Sequence, residues 1–171
     1  MGQLDVVKLT TPHLAQLRDE LNETCFLAVW GNRGPAVVHV EQAVRAVTLV
    51  TQVGSVLPLR GSSTGLVFNA FMPNAETAQL REAELKLPSA PTPDALLHTM
   101  SELQRTHIQP VHGLLMAGVN ALSAPLFSGD QRLAGVITIV GGEPGFMAEA
   151  DGDAAKRLRE VARKISARMG G

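Results

Sequence analysis

The sequence has few cysteines and few aromatic residues, so neither disulfides nor large aromatic side chains can contribute much to its stability. Its 171 residues include one cysteine, Cys25, no tyrosine and only 4% aromatic residues. A single cysteine cannot form an internal disulfide, which fits a reducing compartment. Hydrophobic residues make up 45% of the chain, a share typical of globular proteins. The length fits a single domain. Because so few of the hydrophobic residues are aromatic, we expect its core to be aliphatic.

Strong charge and long apolar runs are also missing. The formal net charge is −1, which differs from the basic balance of nucleic-acid-binding domains. No apolar run approaches the roughly 20 residues of a transmembrane helix, and the opening residues MGQLDVVK contain no signal-peptide core. We therefore expect a cytoplasmic protein without a membrane partner.

The sequence shows no pattern typical of a metal or cofactor site. The five histidines do not have zinc-ligand spacing with a second good ligand. The glycine-rich segment Gly141–Gly145 lacks the Lys-Ser/Thr pair of a phosphate-binding loop. The prediction is that the protein uses no metal and no cofactor.

The predicted elements run in the order helix, strands, helices, strands, helix. Two predicted helices begin at Thr11-Pro12 and at Ser62-Ser63. Three more are predicted at Asn74–Lys86, Asp94–His107 and Ala150–Met169. The predicted strands are Thr24–Trp30, Ala36–Glu41, Val44–Thr51, Val119–Phe127 and Leu133–Val140, with Val111–Ala117 as an edge strand or a loop. This order favours an α+β fold, an antiparallel sheet flanked by helices.

The segment 53–73 is the most informative stretch. A loop of small residues leads to Ser62 and Ser63, which are good N-cap residues, and Pro73 ends the apolar helix that follows. A helix N-terminus offers free N–H groups and the positive end of a dipole. We expect it to form the floor of a pocket for a carboxylate or carbonyl oxygen.

Three segments, taken together and in order, resemble one protein family. They are Pro12-x-Leu14-x-x-Leu17 with NETCFLAV at 22–29, Gly54-x-x-x-Pro58-Leu59 with Ser62-Ser63-Thr64-Gly65, and GVNALSAPLF at 118–127 with 133–141. The combination resembles the effector-binding domain of the isocitrate lyase regulator (IclR) family of bacterial transcription factors.

The resemblance implies a GAF-like fold, with a linker helix at 1–22 and an effector-binding domain at 23–171. In the family this domain follows a winged-helix DNA-binding domain, which the 171 residues do not include. The chain is then either a piece of a longer regulator or a stand-alone sensor. The implied partners are a small-molecule effector and copies of the chain itself, as a dimer or tetramer, and DNA only through the winged-helix domain.

The resemblance also implies a set of ligand-binding residues. Carried over by position, they are Ser63, Thr64, Gly65, Val111, His112, Leu114, Ala121, Ser123, Thr138 and Val140. Leu66 replaces the lysine usual in the family, and Leu114 and Met116 stand where charged residues are common. We therefore expect an effector with an apolar body and one anionic or carbonyl end, such as an aromatic or branched aliphatic acid, rather than a glyoxylate- or pyruvate-like acid.

Two other functions fit parts of the sequence. Gly61 to Gly65 spells G-x-S-x-G, the nucleophile pattern of serine hydrolases, and Asp94 and His112 follow in the required order. Pro58 argues against the central strand which that chemistry needs, so we expect no enzymatic activity. A GAF-like sensor serving another signalling module is the third possibility. His39 and Trp30 could each face a pocket or the surface.

Overall fold

The computed structural model describes residues 2–45, 51–85 and 91–171. Within these ranges the chain forms five helices and five strands in an α+β arrangement, as predicted. The helices are α1 (Gln3–Leu21), α2 (Ser63–Phe71), α3 (Asn74–Glu84), α4 (Pro93–Thr106) and α5 (Asp153–Arg168). The strands are β1 (Thr24–Gly31), β2 (Gly34–Glu41), β3 (Gln109–His112), β4 (Val119–Phe127) and β5 (Leu133–Gly142).

The strands form one antiparallel sheet in the order β2-β1-β5-β4-β3. Two hairpins, β1–β2 and β4–β5, meet in the centre of the sheet through β1 and β5. The β4–β5 register pairs Ser123 with Thr138 and Ala121 with Val140. Because directly opposed side chains project from the same face, this register brings two hydroxyls together.

Side chains alternate between two cores, one on each face of the sheet. In β1, Cys25 and Leu27 belong to the first core, whereas Phe26 and Ala28 belong to the second. Helices α1 and α5 cover the first face, and α2 and α4 contribute to the second. Both cores are mainly aliphatic, as the composition predicts.

Helix α2 is the buried helix of the second core, and both of its predicted ends are confirmed. Ser62 is the N-cap, and its Oγ accepts a hydrogen bond from the Gly65 N–H at 2.9 Å. All residues from Ser63 to Ala70 are buried. The helix ends at Phe71, just before Pro73, which has no N–H to continue the hydrogen-bonding pattern.

The predicted start of the first helix is wrong. We expected Thr11-Pro12 to open it, but α1 begins at Gln3 and contains Pro12 in its interior. An internal proline costs roughly 3 kcal/mol of helix stability. Val6 is buried in the first core together with Leu14 and Leu17, so packing on both sides of Pro12 holds the helix through this position.

Two smaller predictions also differ from the structure. Helix α5 begins at Asp153 rather than Ala150. The segment 111–117 contributes only Val111 and His112 to edge strand β3.

One predicted strand cannot be compared with the structure. Within 44–51, the described residues 44, 45 and 51 are not in a strand, and 46–50 lie outside the described residues. Lys86, the last residue of the predicted helix Asn74–Lys86, also lies outside them. None of the helices in the described ranges is both long and apolar enough to cross a membrane.

Candidate functional site

A small cavity lies where the N-terminus of α2 meets the sheet. Its volume is about 90 Å³. Six of the residues predicted from the resemblance line it: Ser63, Thr64, Val111, Ala121, Thr138 and Val140. Its wall is completed by Phe26, Thr51, Leu57, Ser62, Leu115 and Val119. None of these lining residues is charged.

A chain of buried hydroxyls forms the polar side of the cavity. The Thr138 Oγ1 lies 2.7 Å from the Thr64 Oγ1 and 2.6 Å from the Ser123 Oγ. All three side chains are almost fully buried. Three hydroxyls carry three protons, and the two links use only two of them. One proton is therefore not used by the two links, and it can point into the cavity when it lies on Thr64 or Thr138, which both line it.

The two serines at the start of α2 have structural hydrogen bonds. The Ser62 Oγ donates to the Pro58 carbonyl at 2.8 Å while it caps the helix. The Ser63 Oγ donates to the Gln109 carbonyl at 2.7 Å and so fastens α2 to β3. Among the described residues we find no acceptor for the backbone N–H groups of Ser63 and Thr64, as is usual in the first turn of a helix.

Four of the predicted site residues do not line this cavity. Ser123 lies behind Thr138 and reaches the cavity only through that hydroxyl. Gly65 packs against the turn at Pro58, His112 is exposed, and Leu114 packs against the second core. Neighbouring residues of a strand point to opposite faces, so Val111 and His112 of β3 could not both face the cavity.

Sequence reasoning missed several residues of the wall. The β1–β5 register places Phe26 opposite Thr138, and the strand alternation in β1 was a signal that could have identified it. Val119 begins β4, two residues before Ala121, and the same alternation would have found it. Leu57 and Leu115 lie in irregular segments, where the sequence has no period from which a direction can be inferred.

Three further residues, whose roles the sequence does not decide, do not line this cavity. A ring nitrogen of His39 is 2.6 Å from the Glu41 Oε2 on edge strand β2, away from the cavity. Trp30 packs on Phe68 with ring centroids 5.7 Å apart and lines a different cleft. Burial raises the pKa of the Cys25 thiol to about 12, so this thiol stays protonated and unreactive at neutral pH.

The residues of the hydrolase alternative do not come together. The Ser63 Oγ donates to the Gln109 carbonyl, and the His112 Nε2 is 2.8 Å from the Met147 carbonyl oxygen. Asp94 is exposed in the first turn of α4. A serine hydrolase needs its nucleophile and base within hydrogen-bonding reach of each other, and these side chains are engaged with other groups.

Metal binding has no support in the part of the chain that the structure describes. Over these ranges no three His, Cys, Asp or Glu side chains are grouped so that they could hold a metal ion.

An antiparallel sheet covered on both faces, with a hydroxyl-bearing cavity at a buried helix N-terminus, defines a GAF-like ligand-binding domain. The chain belongs to one particular family of such domains. Residues 1–167 match the family described as "Bacterial transcriptional regulator IclR C-terminal", which confirms the resemblance seen in the sequence.

Individual relatives agree with this assignment. The crystal structure of Pseudomonas aeruginosa HmgR is 57% identical in sequence, with a TM-score of 0.91 over 96% of this chain and 67% of HmgR. The Bacillus subtilis HTH-type transcriptional regulator KipR is 23% identical over 98% of this chain and 69% of its own length. The Thermotoga maritima IclR structure, 19% identical with a TM-score of 0.85, shares the fold. The chain spans about two thirds of these regulators.

Proposed function

We propose that this domain senses a small organic acid for a transcriptional regulator, and that the cavity beneath α2 is its effector site. The observation that carries the proposal is the buried Thr64–Thr138–Ser123 hydroxyl chain beside the start of α2. A buried hydroxyl proton and helix N–H groups with no acceptor among the described residues provide oriented donors for an anionic or carbonyl oxygen.

The rest of the cavity wall favours an apolar effector body. Phe26, Leu57, Val111, Leu115 and Val140 supply aliphatic and aromatic surface. An apolar body gains about 25 cal/mol for each Å² that it buries there. A small, highly polar keto acid would place polar atoms against this apolar wall and would need more donors than the hydroxyls and the helix N–H groups supply. The effector class is therefore an aromatic or branched aliphatic acid.

The cavity's size suggests how binding is communicated. Ligand pockets usually enclose about 300–1,000 Å³, whereas this cavity has about 90 Å³. A bound acid must therefore displace part of the wall. Leu115, which is 58% exposed, is the lining side chain that can move outward at least cost. A ligand that prefers the displaced arrangement shifts the population toward it.

In the intact regulator, this shift would change the affinity for DNA. The family's winged-helix domain would make the DNA contacts, and the sensory domain would act as a dimer or tetramer in the bacterial cytoplasm. The domain itself would do no chemistry, because Ser63 and His112 are committed to backbone carbonyls. Effector binding and DNA binding would then be linked by a reciprocal coupling free energy.

A thermal-shift panel tests the effector class. We expect benzoate or isovalerate to raise the Tm of the domain, and glyoxylate and pyruvate to leave it unchanged. Stabilisation by the keto acids alone would show that the cavity wall does not select the ligand. Hydrolysis of a p-nitrophenyl ester that disappears in Ser63→Ala would contradict a purely sensory function.

A further inference from the structure

A second cavity lies between α3 and α4, and it shares no lining residue with the cavity beneath α2. Its volume is about 250 Å³. Arg60, from the turn before α2, lines it together with Arg81 of α3. Neither the family resemblance nor the proposed effector site gives this cavity a role.

Arg60 is the most unusual residue in this cavity. Its side chain is only 1% exposed. Its Nη2 donates to the Pro91 carbonyl, but its Nε and Nη1 have no acceptor among the described residues. Three N–H groups of a buried guanidinium are therefore unsatisfied. Buried charged groups are costly unless they are paired and hydrogen-bonded, so this arrangement calls for an acceptor.

The neighbouring side chains do not supply that acceptor. The Glu84 carboxylate accepts hydrogen bonds from the backbone N–H groups of Leu59 and Arg60, each at 2.7 Å. Within the described ranges neither Arg60 nor Arg81 forms an ion pair. Glu82 also lines the cavity, but it is an exposed residue. Two guanidinium charges thus border the cavity, and no carboxylate of the described residues is paired with either.

Arg81 is held in place by neutral oxygens. Its Nη1 donates to the Asn69 Oδ1 at 2.8 Å and to the Thr77 Oγ1 at 3.0 Å, and its Nη2 donates to the Asn74 Oδ1. These bonds fix its position without neutralising its charge. The site is therefore preorganised for an anion, because the positive charges are already in place before a ligand arrives.

Apolar side chains form the rest of the wall. Leu96 is buried, but Leu97 and Leu85 are 64% and 45% exposed, so large apolar surface faces solvent at the cavity rim. Met100 adds a flexible, apolar side chain. A ligand that covers this surface while it reaches Arg60 needs a compact apolar body and one anionic group.

We propose that the α3–α4 cavity is a second ligand site, which binds a small apolar monocarboxylate through Arg60. The carboxylate accepts charge-assisted hydrogen bonds from the guanidinium, and the apolar body packs between Leu97 and Met100. This site could be occupied whether or not the cavity beneath α2 binds an effector.

Methyl-detected NMR on the whole 171-residue chain tests the proposal. We expect benzoate to shift the methyl resonances of Leu97 and Met100 in a saturable way, and the neutral isostere benzamide to shift them far less. The same two resonances should respond to benzoate in Thr138→Val, which alters only the other cavity. No response to benzoate, or an equal response to benzamide, would overturn the proposal.

One variant locates the binding energy. Arg60→Met keeps an elongated side chain but removes the charge, and we expect roughly 10- to 100-fold weaker benzoate binding, measured on the Leu97 and Met100 methyl resonances, because hydrogen bonds to a charged group are lost. Without ligand its Tm should not fall, because an unpaired buried charge is removed. Benzoate affinity at these two resonances equal to that of the wild type would refute the site.

A rim variant covers the case in which Arg60→Met does not fold. Leu97→Glu places a negative charge at the cavity entrance, and Val53→Glu is its matched control because Val53 is also 64% exposed. We expect Leu97→Glu to weaken benzoate binding at the α3–α4 cavity, measured on the Met100 methyl resonance, at least tenfold and Val53→Glu to leave it unchanged. Equal affinities in the two variants would overturn the proposal.

Discussion

At the scale of single residues, Gly65 shows how closely α2 is packed against the turn before it. A Cβ at this position would lie 2.0 Å from the Pro58 carbonyl oxygen and 2.6 Å from that of Leu59. Neither backbone atom can move away as a flexible side chain could. The contact that brings the start of α2 to the cavity therefore depends on a residue without a side chain.

We predict that Gly65→Ala lowers the free energy of unfolding by about 3 kcal/mol, the upper range for an overpacked core. Urea denaturation followed by circular dichroism would measure the change. Gly142→Ala is the control, because the nearest atom to its added Cβ is 3.9 Å away and we expect little effect. Similar stabilities for the two variants would contradict the packing at Gly65.

Glu23 makes stability depend on pH in a direction opposite to that of most carboxylates. It is buried, and its carboxylate lies 2.8 Å from Arg45. Burial raises the pKa of Glu23 above its ordinary value of 4.5, and Arg45 only partly opposes this. The folded state thus binds the proton more tightly than the unfolded chain. The contribution of Glu23 to the free energy of unfolding therefore falls as the pH rises from 4.5 through the pKa that Glu23 has in the folded state.

Glu23→Gln removes this titration. We predict that the stability of the wild type, relative to Glu23→Gln, declines over that pH window and is constant at higher pH. Urea titrations of both proteins between about pH 4 and pH 8 would show the difference. If the stability of the wild type relative to Glu23→Gln instead rose with pH, the effect of Arg45 on the pKa of Glu23 would be larger than the effect of burial.

At the scale of elements, α1 combines a local sequence conflict with favourable packing. Pro12 cannot donate a hydrogen bond inside the helix, yet Leu14 and Leu17 are fully buried beyond it. We predict that Pro12→Ala raises the free energy of unfolding by about 1 kcal/mol or more, because a helical hydrogen bond is restored. Urea denaturation of both proteins measures it. A loss of stability would show that the proline is part of the favourable packing.

Element ends could be predicted where local chemistry determines them. Thr92 followed by Pro93 marks the start of α4, and the Thr92 Oγ1 indeed accepts from the Ala95 N–H at 3.2 Å. Ser62 marks the start of α2 in the same way. The start of α1 could not be predicted, since the tertiary burial of Val6 outweighs the proline signal.

The candidate site could be predicted in part for the same reason. Strand alternation and the family resemblance put Ala121, Thr138 and Val140 in one predicted site, and the structure places all three around one cavity. Leu57 and Leu115 reach the cavity from irregular segments, whose path depends on long-range packing. The sequence alone also could not show that the Ser63 hydroxyl is used by the Gln109 carbonyl, because 46 residues separate the two.

At the scale of the whole molecule, we predict self-association. Several large apolar side chains are exposed in the monomer, including Val44, Leu115 and Met116 at 91%, 58% and 61%. Exposed apolar surface favours burial in an interface, and the family resemblance implies dimers or tetramers. Sedimentation velocity at micromolar concentration should detect them. A single monomeric species throughout the concentration range would contradict this prediction.

We propose that the hydroxyl chain beneath α2 binds the effector, and isothermal titration tests this with matched variants. Thr138→Val removes the central hydroxyl of that chain. Thr10→Val is the control, because Thr10 is also fully buried but its Oγ1 has no partner among the described residues.

The ligand for this titration is the acid that gives the largest Tm increase in the thermal-shift panel, and every protein in it carries Arg60→Met, so that the α3–α4 cavity contributes little. We predict about tenfold or greater loss of its affinity in Thr138→Val, the cost of a lost buried hydrogen bond, and unchanged affinity in Thr10→Val. Equal affinities with and without Thr138→Val would show that the hydroxyl chain does not bind the effector.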